Sequence, residues 1–479
     1  MGYVGFALLV LVGIGIVTTG LPAAIILIAA ATLGAAIGVA TDTIPVALLG
    51  TMPARLLNLF ENDLLQALPL YVLMGLLLNR LPVAEALYRS ALVLLPRSSS
   101  APLAAGMALG GLLGPMNGSV GASVLGLSRV IAPRLEAEGV PAPTRYAMIA
   151  VASTLGVLVP PSLVLILLGD AMLSAHTIAV TASGRTDRVI NTQDVFHGAL
   201  APAGIFFLAA LALAWLAGRS AVKAPKRERL APGQAVLAGI ALAAIIVLLG
   251  GVAAGYFYAV EAAAMGAFAL LVGGLTGGRL PLPVLRELLH NAIAVTGALF
   301  SLLICATTLT LVLRLLGTDR IVTDWVAAIP GSDIVVVAVV LAAIGLCAFV
   351  LDAFEIIFVV VPIAIPPLLI RVADARWVAV LVLLTLQTSF LLPPFGYALM
   401  MVRGALKKPV AYRPFLRALI PFLLAQWLLL LLVLFVPALA HIGENAANRT
   451  RDVAEPISNE QIDKLLDQMI NLPPLPEPQ

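Results

Sequence analysis

Long apolar blocks alternate with short polar or proline-marked breaks along almost the whole chain. A helix that crosses a bilayer needs about 20 apolar residues. Blocks near that size lie at roughly 3–18, 21–40, 64–80, 101–135, 145–170 and 198–218. A second series lies at 232–250, 255–275, 288–316, 334–370, 376–403 and 415–440. The pattern predicts an all-α polytopic membrane protein. Four blocks (101–135, 145–170, 334–370 and 376–403) carry an interruption, which predicts helices broken within the membrane.

The four interruptions are related. Block 101–135 is broken by Gly114-Pro-Met-Asn117-Gly118-Ser119-Val-Gly121, and block 334–370 by Leu351-Asp352-Ala-Phe-Glu355. Blocks 145–170 and 376–403 each contain a Pro-Pro pair, in Gly156-Val-Leu-Val-Pro160-Pro161-Ser162 and in Gln387-Thr388-Ser389-Phe-Leu-Leu-Pro393-Pro394-Phe-Gly396. An offset of 233 residues superimposes the pairs and also places Ser119 on Asp352 and Pro133 on Pro366. One Pro-Pro pair reads as a simple kink; two at matched positions read as a repeat.

Charge orients the chain. The basic stretch Lys223-Ala-Pro-Lys226-Arg227-Glu-Arg229 divides the halves and is expected on the cytoplasmic side. Alternating outward from it, the segments 80–97, 129–145, 219–229, 279–286 and 403–417 hold 18 of the 28 Lys and Arg, which places both termini outside. The first hairpin would then enter from the cytoplasm and the second from outside. Two inverted repeats are therefore expected at 1–218 and 232–440, joined by a basic loop at 219–231 and followed by a polar tail at 441–479. Inverted repeats with discontinuous helices are the architecture of secondary transporters, with the site at the repeat interface.

Composition narrows the classes. Hydrophobic residues make up 61% and charged residues 11% of 479, so the surface cannot be covered with polar side chains, and water-soluble enzymes are excluded. A net charge of +3 gives no polyanion-binding face, so no nucleic-acid partner is expected; the bilayer is the surrounding medium. Cys305 and Cys347 lie in apolar blocks, and His176, His197, His290 and His441 share no helix face, so no metal centre is expected beyond alkali cations. A membrane enzyme working through Asp352 is disfavoured, because no Gly-x-Ser-x-Gly elbow or histidine pair accompanies it.

The broken helices have a chemistry of their own. Prolines remove donors and free the carbonyls of the preceding turn. Such oxygens beside a hydroxyl or carboxylate suit an alkali cation, and half-helix N-termini offer N–H groups to a carboxylate. One candidate cation site joins Asn117, Gly118 and Ser119 to Gly156–Pro160; the other joins Asp352 to Gln387, Thr388 and the carbonyls up to Pro393. A carboxylate in the apolar zone costs about 2.5–3.5 kcal/mol, so Asp352 is functional by default. Its roles are a cation ligand, a proton relay or a hairpin cap. Glu355 is as readily structural as functional, and Glu261 reads as structural. Substrate contact is expected from Ser119, Ser123, Ser162, Ser389 and Glu355. No Arg or Lys lies at midplane depth in the broken segments, the nearest being Arg129 and Arg403, so N–H groups, hydroxyls and the bound cation would share the substrate's charge.

At these residues the chain resembles a known family. Leu68-Pro-Leu-Tyr-Val-Leu-Met-Gly75, Gly156-Val-Leu-Val-Pro-Pro-Ser162 with Leu-Leu-Gly169-Asp170, Val260-Glu-Ala-Ala-Ala-Met-Gly266, Leu351-Asp-Ala-Phe-Glu-Ile-Ile357 and Leu386-Gln-Thr-Ser-Phe-Leu-Leu-Pro-Pro-Phe-Gly-Tyr397 carry the likeness. It is to the large membrane subunit of tripartite ATP-independent periplasmic (TRAP) transporters, in the branch associated with 2-oxo acids, lactate and the mannitol/chloroaromatic group. The resemblance implies a sodium-driven, elevator-type importer of organic acids in a bacterial inner membrane, with sodium as coupling ion and no other cofactor. It also implies two partners, a small four-helix membrane subunit and a periplasmic substrate-binding protein. Two departures touch the sodium ligands: Val120 follows Gly118-Ser119 where the family often has a second serine, and Leu392 precedes the second Pro-Pro where it often has threonine. The competing reading is a single-component sodium- or proton-coupled carboxylate carrier. In the tail, Ser458-Asn-Glu-Gln461 followed by Ile462, Leu465, Leu466, Met469 and Ile470 reads as a short amphipathic helix or as a solvated tail. Asn448-Arg-Thr450 is a chance glycosylation triplet.

Overall fold

The computed structural model describes residues 2–61, 65–96, 98–219, 230–393, 396–405 and 410–442. The basic loop, Pro394, the Asn448 triplet and the amphipathic tail pattern fall outside these residues. Within them every regular element is helical. Nine helices are long and apolar enough to cross a membrane, and Ala67–Arg80 with Val83–Leu94 forms a further pair bent by 63°.

The interruptions fall where the sequence breaks. Ala101–Leu113 ends in a tight turn, Gly114–Asn117, and the chain returns as Val120–Ala137. Gly118 makes that reversal possible with φ of 68°, a left-handed conformation that suits a residue without Cβ. In the second half Asp333–Cys347 returns through Ala353–Glu355, a π-helical turn at Ile356–Val360 and Val361–Arg371. Ala142–Leu158 breaks at the Pro-Pro pair before Leu163–Ser183, and Ala375–Leu391 breaks before Tyr397–Gly404. The 233-residue offset carries Ala142–Leu158 onto Ala375–Leu391 end to end, and carries the helix start at Val120 onto that at Ala353.

Burial sorts the helices into two sets. Every residue of Ala375–Leu391 is buried, as is every residue of Ala142–Leu158 from Arg145 onward. A helix that is apolar all round belongs inside protein, and these two pack against each other at the centre. The hairpins pack around them: Ala101–Leu113 and Val120–Ala137 on the first, Asp333–Cys347 and Ala353–Glu355 on the second. The halves also interlock, because Leu163–Ser183 packs on Val361–Arg371, and Tyr397–Gly404 packs on Val120–Ala137. By contrast Gly2–Thr19, Ala23–Ala40, Pro232–Ala253, Ala259–Thr276 and Leu282–Leu315 are only 22–33% buried, as are Thr192–Arg219 and Tyr412–Phe435, so most of their apolar surface is left for a surrounding apolar medium.

Three amphipathic helices and the single turn Val46–Leu49 were not foreseen. Met52–Glu61, Val83–Leu94 and Thr318–Ala328 are short helices with apolar and charged residues on different faces, and a search for unbroken apolar runs passes over them. Val83–Leu94 is tied to the first hairpin by Arg134, whose guanidinium meets Glu85 at 3.0 Å. Glu261 is structural as expected: its carboxylate accepts from the Tyr258 N–H at 2.9 Å and caps Ala259–Thr276.

Backbone meets backbone at the first hairpin tip. A Cβ on Gly114 would sit 2.7 Å from both Cα and N of Gly156, and a Cβ on Gly75 would run into the backbone of Asn117. Gly156→Ala is therefore expected to push the tip off the broken helix and destabilise the protein by about 1–3 kcal/mol, the usual range for overpacking. Gly239→Ala, where nothing lies within 4 Å, is the control. Thermal melts in detergent check both; equal melting temperatures would show that the tip yields freely.

Candidate functional site

Helix geometry places the first cluster. Ser119 caps Val120–Ala137, its hydroxyl accepting from the Ala122 N–H at 3.1 Å. Ser162 caps Leu163–Ser183 in the same way, accepting from the Leu165 N–H at 3.2 Å while donating to Val157 O at 3.0 Å. Ser123 donates to Ser119 O at 3.2 Å and accepts from Asn117 Nδ2 at 3.1 Å. Between hairpin tip and broken helix lies a cavity of about 10 Å³ lined by Gly118, Ser119, Ser123, Ser153, Gly156 and Ser162, among others. That is about the room one water needs, hence one small ion. Beside it Asn117 is buried, and its Oδ1 has no hydrogen-bond partner among the described residues. Five residues expected at this site thus line one cavity; Pro160 lies in the adjoining break and is not among its lining residues. Ser153 was missed, a helical hydroxyl three residues before the expected Gly156.

The second cluster is built on carboxylates. Asp352 caps the turn Ala353–Glu355, and Glu355 returns the bond by accepting from the Asp352 N–H at 3.1 Å. One oxygen of Glu355 is thereby engaged by the backbone. The turn packs against Ala375–Leu391, where Thr388 donates to Leu384 O at 2.8 Å and Ser389 to Leu386 O at 2.6 Å. A hydroxyl that spends its proton on a backbone carbonyl presents lone pairs elsewhere, a suitable posture for a cation ligand. Gln387 is fully buried; its Oε1 accepts from Gln426 Nε2 at 2.7 Å, while Gln387 Nε2 and Gln426 Oε1 have no partner among the described residues. Gln426 was missed although its signal was visible, a lone amide in the apolar helix Tyr412–Phe435. Pro393 is half-buried in the break.

Two further polar features stand out. A cavity of about 540 Å³ opens between Leu163–Ser183, the long helix Leu282–Leu315 and the second hairpin, with Asp170, Ser174, Thr307, Thr310 and Arg314 in its wall. Arg314 belongs to a block read as an ordinary span, so it was not weighed as a charged group near the site. At one end of the buried helix Ala375–Leu391, Arg376 pairs with Asp194 at 3.1 Å, and Asp194 also meets Arg188 at 2.9 Å. Arg403 is exposed and lies over the Tyr412 ring at 5.5 Å, which fits anchoring rather than recognition.

Discontinuous helices, with one hairpin tip and one broken helix meeting around a small polar cavity, are the architecture of a membrane transport protein. Residues 8–439 match the family described as "Tripartite ATP-independent periplasmic transporter, DctM component", and the chain belongs to it. It is a transporter permease and not an enzyme. It is 22% identical over 393 residues to the 2,3-diketo-L-gulonate TRAP transporter large permease protein YiaN of Escherichia coli K12, covering 81% of this chain and 88% of that one. It is 23% identical over 400 residues to the C4-dicarboxylate TRAP transporter large permease protein DctM of Rhodobacter capsulatus, covering 81% and 89%. A third relative, the sialic acid TRAP transporter permease protein SiaT of Haemophilus influenzae, is 23% identical over 391 residues, covering 80% of this chain and 60% of that one. In fold the chain is similar to the Alcanivorax borkumensis YdaH transporter, with a TM-score of 0.63 at 14% identity over 81% of this chain and 88% of the other. The Neisseria gonorrhoeae MtrF efflux pump follows, with a TM-score of 0.54 at 11% identity over 81% and 83%.

The Arg376–Asp194 pair is nearly excluded from solvent, with 9% and 8% of the two side chains exposed. Arg376→Met leaves Arg188 to neutralise Asp194, whereas Asp194→Ala leaves two guanidinium groups without their shared carboxylate. Asp194→Ala is expected to cost about 3 kcal/mol or more and Arg376→Met clearly less, because the penalty comes from the stranded buried charge. Melting of the two variants in detergent compares them; equal losses would mean that Arg188 contributes nothing.

Proposed function

We propose that this chain moves a small organic acid across a bacterial inner membrane as the large subunit of a sodium-coupled carrier. The observation that carries the reading is the ion-sized cavity at the first hairpin tip, with the hydroxyls of Ser119, Ser123 and Ser162 in its wall and the unpartnered Asn117 Oδ1 beside it. A buried acceptor without a partner costs about 1–3 kcal/mol, and a sodium ion is the ligand that would offset it. At the second tip Asp352, Gln387, Thr388 and the carbonyls toward Pro393 would hold another ion. The halves 1–218 and 232–440 are read as inverted repeats, supported by matched element boundaries and by the distribution of Lys and Arg.

Substrate would lie between the two tips, near Ser119, Ser123, Ser162 and Ser389. The relatives are named for 2,3-diketo-L-gulonate, C4-dicarboxylates and sialic acid. Their shared chemistry is a carboxylate on a small polar molecule, and this is the class proposed here. The family's name supports a periplasmic binding protein as the partner that delivers it; a small membrane subunit completes the complex. The buried set of helices would move as one body against the lipid-facing set, in the manner of an elevator.

Reconstituted complex is expected to take up one of radiolabelled lactate, pyruvate or succinate in sodium buffer and far less in choline. Equal uptake in both buffers refutes sodium coupling. Asp352→Asn keeps an N-cap residue and removes the charge, so the fold should survive while the half-saturating sodium concentration rises about tenfold, the loss of one charge-assisted ligand. An unchanged half-saturation would reduce Asp352 to a cap.

A further inference from the structure

The long helix Leu282–Leu315 and the second hairpin are joined by two hydrogen bonds to carbonyls that lie four residues before prolines. Pro362 has no N–H for the carbonyl of Phe358, and Pro366 has none for the carbonyl of Pro362. Thr310 Oγ1 donates to Phe358 O at 2.9 Å, and an Arg314 Nη donates to Pro362 O at 3.0 Å. Donors and acceptors are each four residues apart, so one face of the long helix reads one face of the hairpin in register. All four residues line the cavity of about 540 Å³, beside Ser174 of the first broken helix. The long helix belongs to the lipid-facing set and the hairpin to the buried set, so both bonds cross the joint between the two bodies.

The placement is informative. Proline-freed carbonyls inside one body would be satisfied by neighbours that travel with them. These two are satisfied from the other body, and both together only in one register. A slide of one helical turn, about 5.4 Å, toward the start of the long helix would set Ala306 opposite Phe358 O and Thr310 opposite Pro362 O, so Arg314 would leave the hairpin and the matched pair of bonds would be lost. We propose that Thr310 and Arg314 are positioning residues for transport, a two-point catch that holds the second hairpin on the long helix in this state and releases it in each cycle. The inference rests on the two-body reading given under Proposed function.

A thiol in the cavity reads the catch without knowledge of the substrate. In the complete complex, with Cys305→Ala and Cys347→Ala, Ser174→Cys supplies an exposed reporter. Its rate of modification by the methanethiosulfonate ethyltrimethylammonium reagent in proteoliposomes measures how open the joint stands. Thr310→Val with Arg314→Gln is expected to change that rate about fivefold or more, the scale on which losing hydrogen bonds shifts a two-state balance. Thr310→Ser with Arg314→Lys keeps a donor at both positions and should return it toward the parent rate. Rates within about twofold of the parent, in double variants that are monodisperse and melt cooperatively, overturn the catch. Should the first double variant fail to fold, Thr310→Val alone decides by the same two outcomes. The parent's own response to sodium against choline, read in the same preparation, separates failure of the catch from failure of sodium coupling.

Discussion

Nothing in a hydrocarbon layer pairs with a bare peptide group, and the rest of this structure depends on that fact. A helix can be broken at membrane depth only where protein or a watery cavity takes over the freed N–H and C=O groups. The chain meets the condition by building two of its interrupted segments on helices, Ala142–Leu158 and Ala375–Leu391, that are almost wholly buried, and by packing the two hairpins against them. Three of the breaks have side-chain caps, and the second hairpin has donors from a neighbouring helix. Ser119 and Ser162 cap two restarted helices, Asp352 and Glu355 cap a third reciprocally, and Thr310 and Arg314 satisfy carbonyls that Pro362 and Pro366 cannot. The groups left over, Asn117 Oδ1 and the Gln387–Gln426 amide ends, lie beside the breaks.

The broken helices were legible because their signals are local. A Pro-Pro pair, a Gly-Ser tip and an acidic Asp-Ala-Phe-Glu tip interrupt apolar runs, and the offset that aligned Ser119 with Asp352 aligned two N-caps. The carbonyl caps were not legible. Arg314 and Pro362 are 48 residues apart, and Arg376 and Asp194 are 182 apart, so no local pattern announces either pairing. The amphipathic helices were lost for a different reason: a run-length search registers apolar length and ignores which face carries it. Residue identity alone also could not show that Thr388 and Ser389 have spent their protons on their own helix, which bears on what their oxygens can bind.

The two tips differ in charge while sharing geometry. The first is ringed by hydroxyls and an amide, all neutral; the second carries two carboxylates engaged in capping. A neutral site of hard oxygens binds a cation weakly enough to release it, whereas Asp352 adds Coulomb attraction in a region of low dielectric. Two ion sites of unequal strength beside a shared substrate space would let ions bind in order. The cation in that space would also balance a carboxylate without a guanidinium at the tips. On this account Arg314 holds the hairpin from the side and leaves recognition to the broken ends.

The central claim is that the first hairpin tip is a sodium site completed by Asn117. Its most direct test is the melting temperature of the purified protein in nanodiscs, measured in sodium and in choline at equal ionic strength. A ligand that binds only the folded state raises stability with its concentration. The account therefore requires a sodium-specific rise in the parent and a clearly smaller rise in Asn117→Ala. Identical melting in the two salts, or an undiminished sodium effect in Asn117→Ala, would contradict it.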